Sequence, residues 1–149
     1  MNFIFLDIDG VLATDECSYK PNHELYAYPF HKDCVNIFNE ILLETNAEII
    51  LTSDWRLMFQ DLETLDLLFK HNGIIKSPIG VTGDLSSRAK EIEAYIEVNE
   101  VSSFVIIDDM DLKIFPDRFV RCNMEEGIKQ VGIKEKIKAV LQIAEKIKK

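Results

Sequence analysis

Cysteine is scarce in this chain and odd in number. Cys17, Cys34 and Cys122 show neither zinc-ligand spacing nor a disulfide framework, which excludes a stapled or zinc-nucleated fold and predicts reduced thiols. Histidine is equally sparse, and His23 and His31 have no metal-ligand spacing. No apolar run approaches the roughly 20 residues of a bilayer-spanning helix. The apolar start lacks a basic segment before it and ends in two aspartates, so it does not read as a secretory leader. Basic residues are also in deficit: 17 Lys and Arg face 26 Asp and Glu, a net charge of −9. Binders of long nucleic acid usually carry a basic face, so this balance disfavours a polyanionic partner. The lysines that are present crowd the last stretch, as on a solvated helix. These deficits predict a cytoplasmic protein with no membrane partner.

What remains is ordinary globular composition, 47% hydrophobic and 29% charged over 149 residues, which fits a single domain over 1–149. Strand-like segments lie near 2–7, 47–52, 102–107 and 118–122, separated by helical patterns. That alternation predicts an α/β fold, a Rossmann-like parallel sheet with helices on both faces. In 33–45, Val35, Phe38, Ile41 and Leu42 share a helical side; between 55 and 70, Leu62, Leu65, Leu68 and Phe69 form another stripe. Ser86 or Ser87 is placed to cap a helix carrying Ile92, Ala94, Tyr95 and Ile96. A final helix over 133–148 repeats Ile133, Ile137, Val140, Ala144 and Ile147. Packing on the sheet is the expected use of that seam, with a homodimer through the C-terminal helix as the alternative.

The most informative segment is 3–12, Phe-Ile-Phe-Leu-Asp-Ile-Asp-Gly-Val-Leu. It delivers Asp7 and Asp9 at the C-terminal end of a strand and turns at Gly10. Residues two apart in an extended chain point to one side, so both carboxylates are expected at one site. Ligands of open α/β sheets bind beyond these strand ends. Close carboxylates need a cation or a shared proton. A second strand ends in Thr52-Ser53, whose hydroxyls and free N–H groups can grip a phosphate oxygen, although taken alone the pair reads first as a local helix cap by Ser53 or Asp54. A third ends in Asp108-Asp109. Hard oxygen ligands without a His or Cys cluster favour Mg²⁺ over zinc. Arg88, followed by Lys90, opens a helix between these segments, and either cation could neutralise a phosphoryl group.

Residues 13–31 break the pattern. Tyr19, Pro21, Tyr26, Tyr28, Pro29 and Phe30 follow no clean period. So long a connection beside the Asp-x-Asp turn is a candidate flap or lid.

Taken in order, Asp7-Ile-Asp9-Gly10-Val11, Thr52-Ser53, Arg88 (or Lys90) and Asp108-Asp109 resemble the four motifs of the haloacid dehalogenase-like (HAD) hydrolase superfamily. Trp55-Arg56 after the hydroxyl pair, Arg88 just ahead of Glu91-Ile92, and the small size also resemble the HAD domains associated with RNA-repair proteins. The resemblance implies a Mg²⁺-dependent phosphatase working through an aspartyl-phosphate. Asp7 would be the nucleophile and Asp9 the acid and base, its backbone carbonyl helping to bind the metal. Asp109 would ligate Mg²⁺ directly and Asp108 directly or through water. Thr52, Ser53 and Arg88 would hold the phosphoryl oxygens, and Arg56 would be a substrate contact or a surface ion pair. Many relatives insert a large cap domain, for which this chain has no room. An open site suits a nucleotide, another phosphorylated small molecule, or a nucleic-acid end phosphate.

Two other readings compete. A phosphoacceptor receiver domain would need its acidic pair early and its hydroxyl late, the reverse of the order here. A phosphate-ester binding module without turnover keeps the same fold and the same residues.

Overall fold

The computed structural model describes residues 1–14, 30–58 and 61–148, with backbone alone for Met58 and 143–148. Most of the candidate lid, including Cys17 and His23, lies outside the described residues, as do the side chains of Ala144 and Ile147.

The strands are β1 (Phe3–Leu6), β2 (Glu48–Leu51), β3 (Gly80–Val81), β4 (Phe104–Asp108) and β5 (Phe119–Arg121). They form one parallel sheet in the order β3-β2-β1-β4-β5. The helices are α1 (Lys32–Thr45), α2 (Trp55–Met58), α3 (Leu62–His71), α4 (Arg88–Asn99) and α5 (Ile133–Lys148). No described helix is long and apolar enough to cross a membrane.

The sheet's central strands are apolar at nearly every position, as expected where both faces are covered. Alternate residues serve different layers. Ile4, Leu6, Ile49, Leu51, Val105 and Ile107 join Phe38, Ile41, Leu68, Phe69, Ile133 and Ile137 of α1, α3 and α5 in the larger core. Phe5, Ile50, Phe104 and Ile106 face the other way onto Ile92, with Tyr95 and Ile96 of α4 alongside. Helices therefore cover both faces. The final helix spends Ile133, Ile137 and Leu141 on this core, and its Lys134 and Lys138 pair with Glu44 of α1 at 3.0 and 3.5 Å.

Helix ends match their capping residues. His31 accepts from the Asp33 N–H through Nδ1 at 3.1 Å, so this histidine starts α1. Of Ser86 and Ser87, the second caps α4 by accepting from Lys90 N–H. The apolar stripe of 55–70 divides into α2 and α3, with Asp61 capping the second. The edge strand β3 adds a fifth strand to the four expected; at two residues it is too short for a period to show.

Strand register sets which side chains reach the ends of the sheet. Leu6 lies opposite both Leu51 and Ile107. At the start of the central pair, Phe3 N–H donates to Ser103 O at 2.9 Å and Ser103 Oγ donates to Asn2 Oδ1 at 2.6 Å. At the far end, Asp7 N–H donates to Ile107 O, Thr52 N–H to Leu6 O and Thr82 N–H to Leu51 O. Asp7, Thr52, Thr82 and Asp108 thus emerge on one rim.

Candidate active site

Asp7 stands just beyond β1 with 3% of its surface exposed. One oxygen each of Asp7, Asp108 and Asp109 lies within 4.8 Å of the others. Burial and the neighbouring Asp108 push the Asp7 carboxyl up to about 9, while Arg88 pulls the other way. Burial likewise raises Asp108, opposed by its bonds from Met110 N–H and Arg88. Two buried carboxylates and a half-buried third form an oxygen-only set suited to a hard divalent cation.

Arg88 is the cation built into this group. Its Nη1 donates to Asp108 Oδ2 at 3.0 Å and lies 3.4 Å from Asp7 Oδ2, while Nη2 reaches Asp54 Oδ1 at 3.5 Å. Burial works against its charge, but Asp7 and Asp108 outweigh that and hold it protonated. Lys90 is exposed, whereas Arg88 reaches Asp7 and Asp108. The difference is helical phase: two residues along α4 turn a side chain by about 200°.

Asp9 is not one of the three grouped carboxylates. Gly10 turns the chain at φ +81°, Asp9 bridges to Ala13, and the Asp9 carboxylate is exposed. Its Oδ2 accepts from Trp55 Nε1–H at 3.1 Å. The clustered carboxylates are Asp7, Asp108 and Asp109, which leaves the Asp9 backbone carbonyl as the ligand the resemblance implied for that residue.

The hydroxyls divide. Thr52 is buried at the end of β2, and its Oγ1 has no hydrogen-bond partner. An orphaned buried hydroxyl costs stability, so a phosphoryl oxygen is a natural partner for it. Ser53 Oγ accepts from Trp55 N–H at 3.2 Å, which is the local capping role open to it. Thr82, at the end of β3, carries a second orphaned hydroxyl. Sequence reasoning missed it because β3 itself gave no signal.

Arg56 is not open to solvent, although its Nη1 lies 3.5 Å from Oδ1 of the exposed Asp54. It is buried, and its five N–H donors meet five acceptors. Nε donates to Thr82 O, Nη1 to Thr52 O and Ser53 O, and Nη2 to Gly83 O and Glu91 Oε2, all at 3.0 Å. Glu91 also accepts from Leu85 N–H at 2.9 Å. Arg56 therefore braces the loops after β2 and β3 against the start of α4, from which Arg88 projects.

Beside Asp109 an open pocket of about 330 Å³ is lined by Arg121, Cys122, Asn123, Met124 and Gln130. This volume is in the range of small-molecule sites.

No curated protein shows significant similarity to the chain. A family model does: residues 3–132 match the model described as the HAD domain in Swiss Army Knife RNA repair proteins. That span holds every described strand and all four motifs. The chain belongs to this family of small HAD-type domains.

Proposed function

We propose that the protein is a Mg²⁺-dependent phosphomonoesterase that forms an aspartyl-phosphate on Asp7. The observation that carries this reading is the Asp7 carboxylate itself, buried at a strand end between Arg88 and the Asp108–Asp109 pair. Acidic side chains are rarely buried without a partner, yet Asp7 and Asp108 are buried here beside a third carboxylate.

Asp7, Asp108 and Asp109 would hold Mg²⁺ through side-chain oxygens, and Asp9 through its carbonyl. When bound, Mg²⁺ supplies the positive charge that offsets these carboxylates and the phosphoryl oxygens. An Asp7 oxygen attacks phosphorus in line as the bond to the leaving oxygen breaks. Asp9 gives its proton to that oxygen. In the second half, Asp9 takes a proton from water, the water oxygen attacks phosphorus, and Asp7 is freed. Arg88 and the Thr52 hydroxyl steady the phosphoryl oxygens, with Ser53 beside them. Phosphoryl transfer depends mainly on such positioning and charge compensation.

The substrate we favour is a nucleotide or the phosphate at a nucleic-acid end. The absence of a large cap, the open pocket beside Asp109 and the RNA-repair family support it. The net charge of −9 argues against extended contact with a long strand. A cytoplasmic setting, where the thiols stay reduced, completes the reading.

The test is Mg²⁺-dependent phosphate release from nucleotides, sugar phosphates and 3′- or 5′-phosphorylated oligonucleotides, with Asp7→Asn in parallel. Release that needs Mg²⁺ and vanishes in Asp7→Asn is the expected result. Release unchanged by Asp7→Asn overturns the assignment. A folded, Mg²⁺-loaded protein that binds phosphate esters without turnover would instead be the binding module.

A further inference from the structure

The bond between Trp55 and Asp9 has no role in the four motifs. Trp55 is the single tryptophan of the chain and 4% exposed. Its ring is fixed from several directions. Phe30 meets it edge-on at 5.6 Å and 64°, and Phe30 in turn meets Phe69 at 5.7 Å and 85°. Phe30 N–H donates to Asn72 Oδ1 at 2.9 Å, tying this stack to the end of α3. Ser53 Oγ holds the Trp55 backbone. The indole N–H is thus a rigid donor aimed at Asp9 Oδ2 from 3.1 Å.

An indole nitrogen donates and cannot accept. The oxygen it touches must therefore serve as acceptor, which favours the carboxyl proton on the other oxygen. Asp9 is an exposed side chain on a tight turn, and the terminal torsion of an aspartate is broad unless a partner narrows it. Proton transfer needs that angle held to within hydrogen-bond geometry.

Building on the phosphomonoesterase reading, we propose that Trp55 is the positioning residue for Asp9. It fixes the carboxyl so that Oδ1 carries the proton delivered to the leaving oxygen. As the phosphorus–oxygen bond breaks, that proton moves from Oδ1 to the leaving oxygen, and the carboxylate left behind keeps its bond from the indole.

The test uses leaving groups of different need. An alkyl phosphate requires a proton as it departs; p-nitrophenyl phosphate departs without one. Single-turnover release of the alcohol would be measured for the intact protein, Trp55→Phe, Asp9→Asn and the double variant, with Mg²⁺ present. A variant carrying β-(3-benzothienyl)alanine at position 55 keeps the bicyclic shape without the N–H, and decides the matter if Trp55→Phe fails to fold. General acids contribute on the order of 10²–10⁴-fold, so loss of orientation should cost the alkyl ester about 10-fold or more and the aryl ester only a few-fold. Adding either change at Trp55 to Asp9→Asn should cost nothing further. Equal loss on both esters, or additive losses in the double variant, would overturn the proposal. Should Asp9→Asn itself slow both esters alike, the acid role of Asp9 falls, and Trp55 with it. A leaving-group effect in Asp9→Asn alone removes only the role of Trp55.

Discussion

A β-carbon on Gly10 would fall 2.5 Å from Oδ2 of Asp109. The glycine of the Asp-x-Asp-Gly turn is there for two reasons, its φ of +81° and the carboxylate pressed against its Cα. Gly10→Ala should push Asp109 away from Asp7 and Asp108 while straining the turn. We expect a stability loss of about 1–3 kcal/mol by urea unfolding and a fall in turnover of at least tenfold, the pattern of strain at a special backbone position. Wild-type turnover in this variant would show that Asp109 need not sit where it does.

Asp7→Asn should abolish turnover and stabilise the metal-free protein. The folded-state carboxyl is raised from its ordinary 3.8 to about 9 by burial and by Asp108, so the folded chain binds a proton that the unfolded chain releases. This contribution to stability is therefore full below pH 4 and is lost as pH rises toward 9. Asparagine carries no such dependence. The melting temperature of the variant should exceed that of wild type increasingly across this window, by about 2–4 °C for each kcal/mol. Added Mg²⁺ should narrow the gap by raising wild type. A variant less stable than wild type at pH 8 without metal would contradict this.

Arg88 and Lys90 should separate cleanly. Arg88→Ala leaves Asp108 buried without its cation and should lose most turnover, with a stability cost of about 3–5 kcal/mol at neutral pH unless Asp108 takes a proton. Lys90→Ala should stay within about 0.5 kcal/mol of wild type. Paired denaturation curves and phosphate-release rates check both.

Removing one member of the Arg56–Glu91 pair should be worse than removing both. Arg56→Met alone strands Glu91 and removes the side-chain donors of the Thr52, Thr82 and Gly83 carbonyls, while Ser53 O keeps the backbone N–H of position 56, for a cost of about 3–5 kcal/mol. Adding Glu91→Gln should recover part of it, read as a positive coupling in a double-mutant cycle.

Cys34 and Cys122 are buried, and burial pushes the Cys122 thiol far above its usual range. Neither should react with a disulfide reagent at pH 7 in the native protein, and both should react on unfolding. Counting modified thiols by mass before and after denaturant tests this.

The sequence displayed the sheet and the acidic rim because both rest on short-range regularities. Apolar runs ending in Asp7, Thr52 and Asp108 mark strand ends without reference to anything distant. What it hid lies across the chain. Arginine is usually exposed, so the burial of Arg56 depends on Glu91, 35 positions later, and on carbonyls that no residue type advertises. Asp9 stands on a turn at the end of the strand, and the donor that meets it sits 46 positions on. Thr82 stands after a strand of two residues, below the length at which alternation can be seen.

The pairing of β1 with β4 joins residues about a hundred apart, and it is pinned at one end by Asn2 and Ser103 and carries Asp7 and Asp108 at the other. A shift of one residue would send the apolar side chains of β1 to the wrong layers, so the zipper has one acceptable alignment. The carboxylate cluster is consequently a checksum on the completed fold. A nascent or partly unravelled chain brings no such charges together, and capture of a divalent cation there would report that the first and fourth strands have met in the right frame.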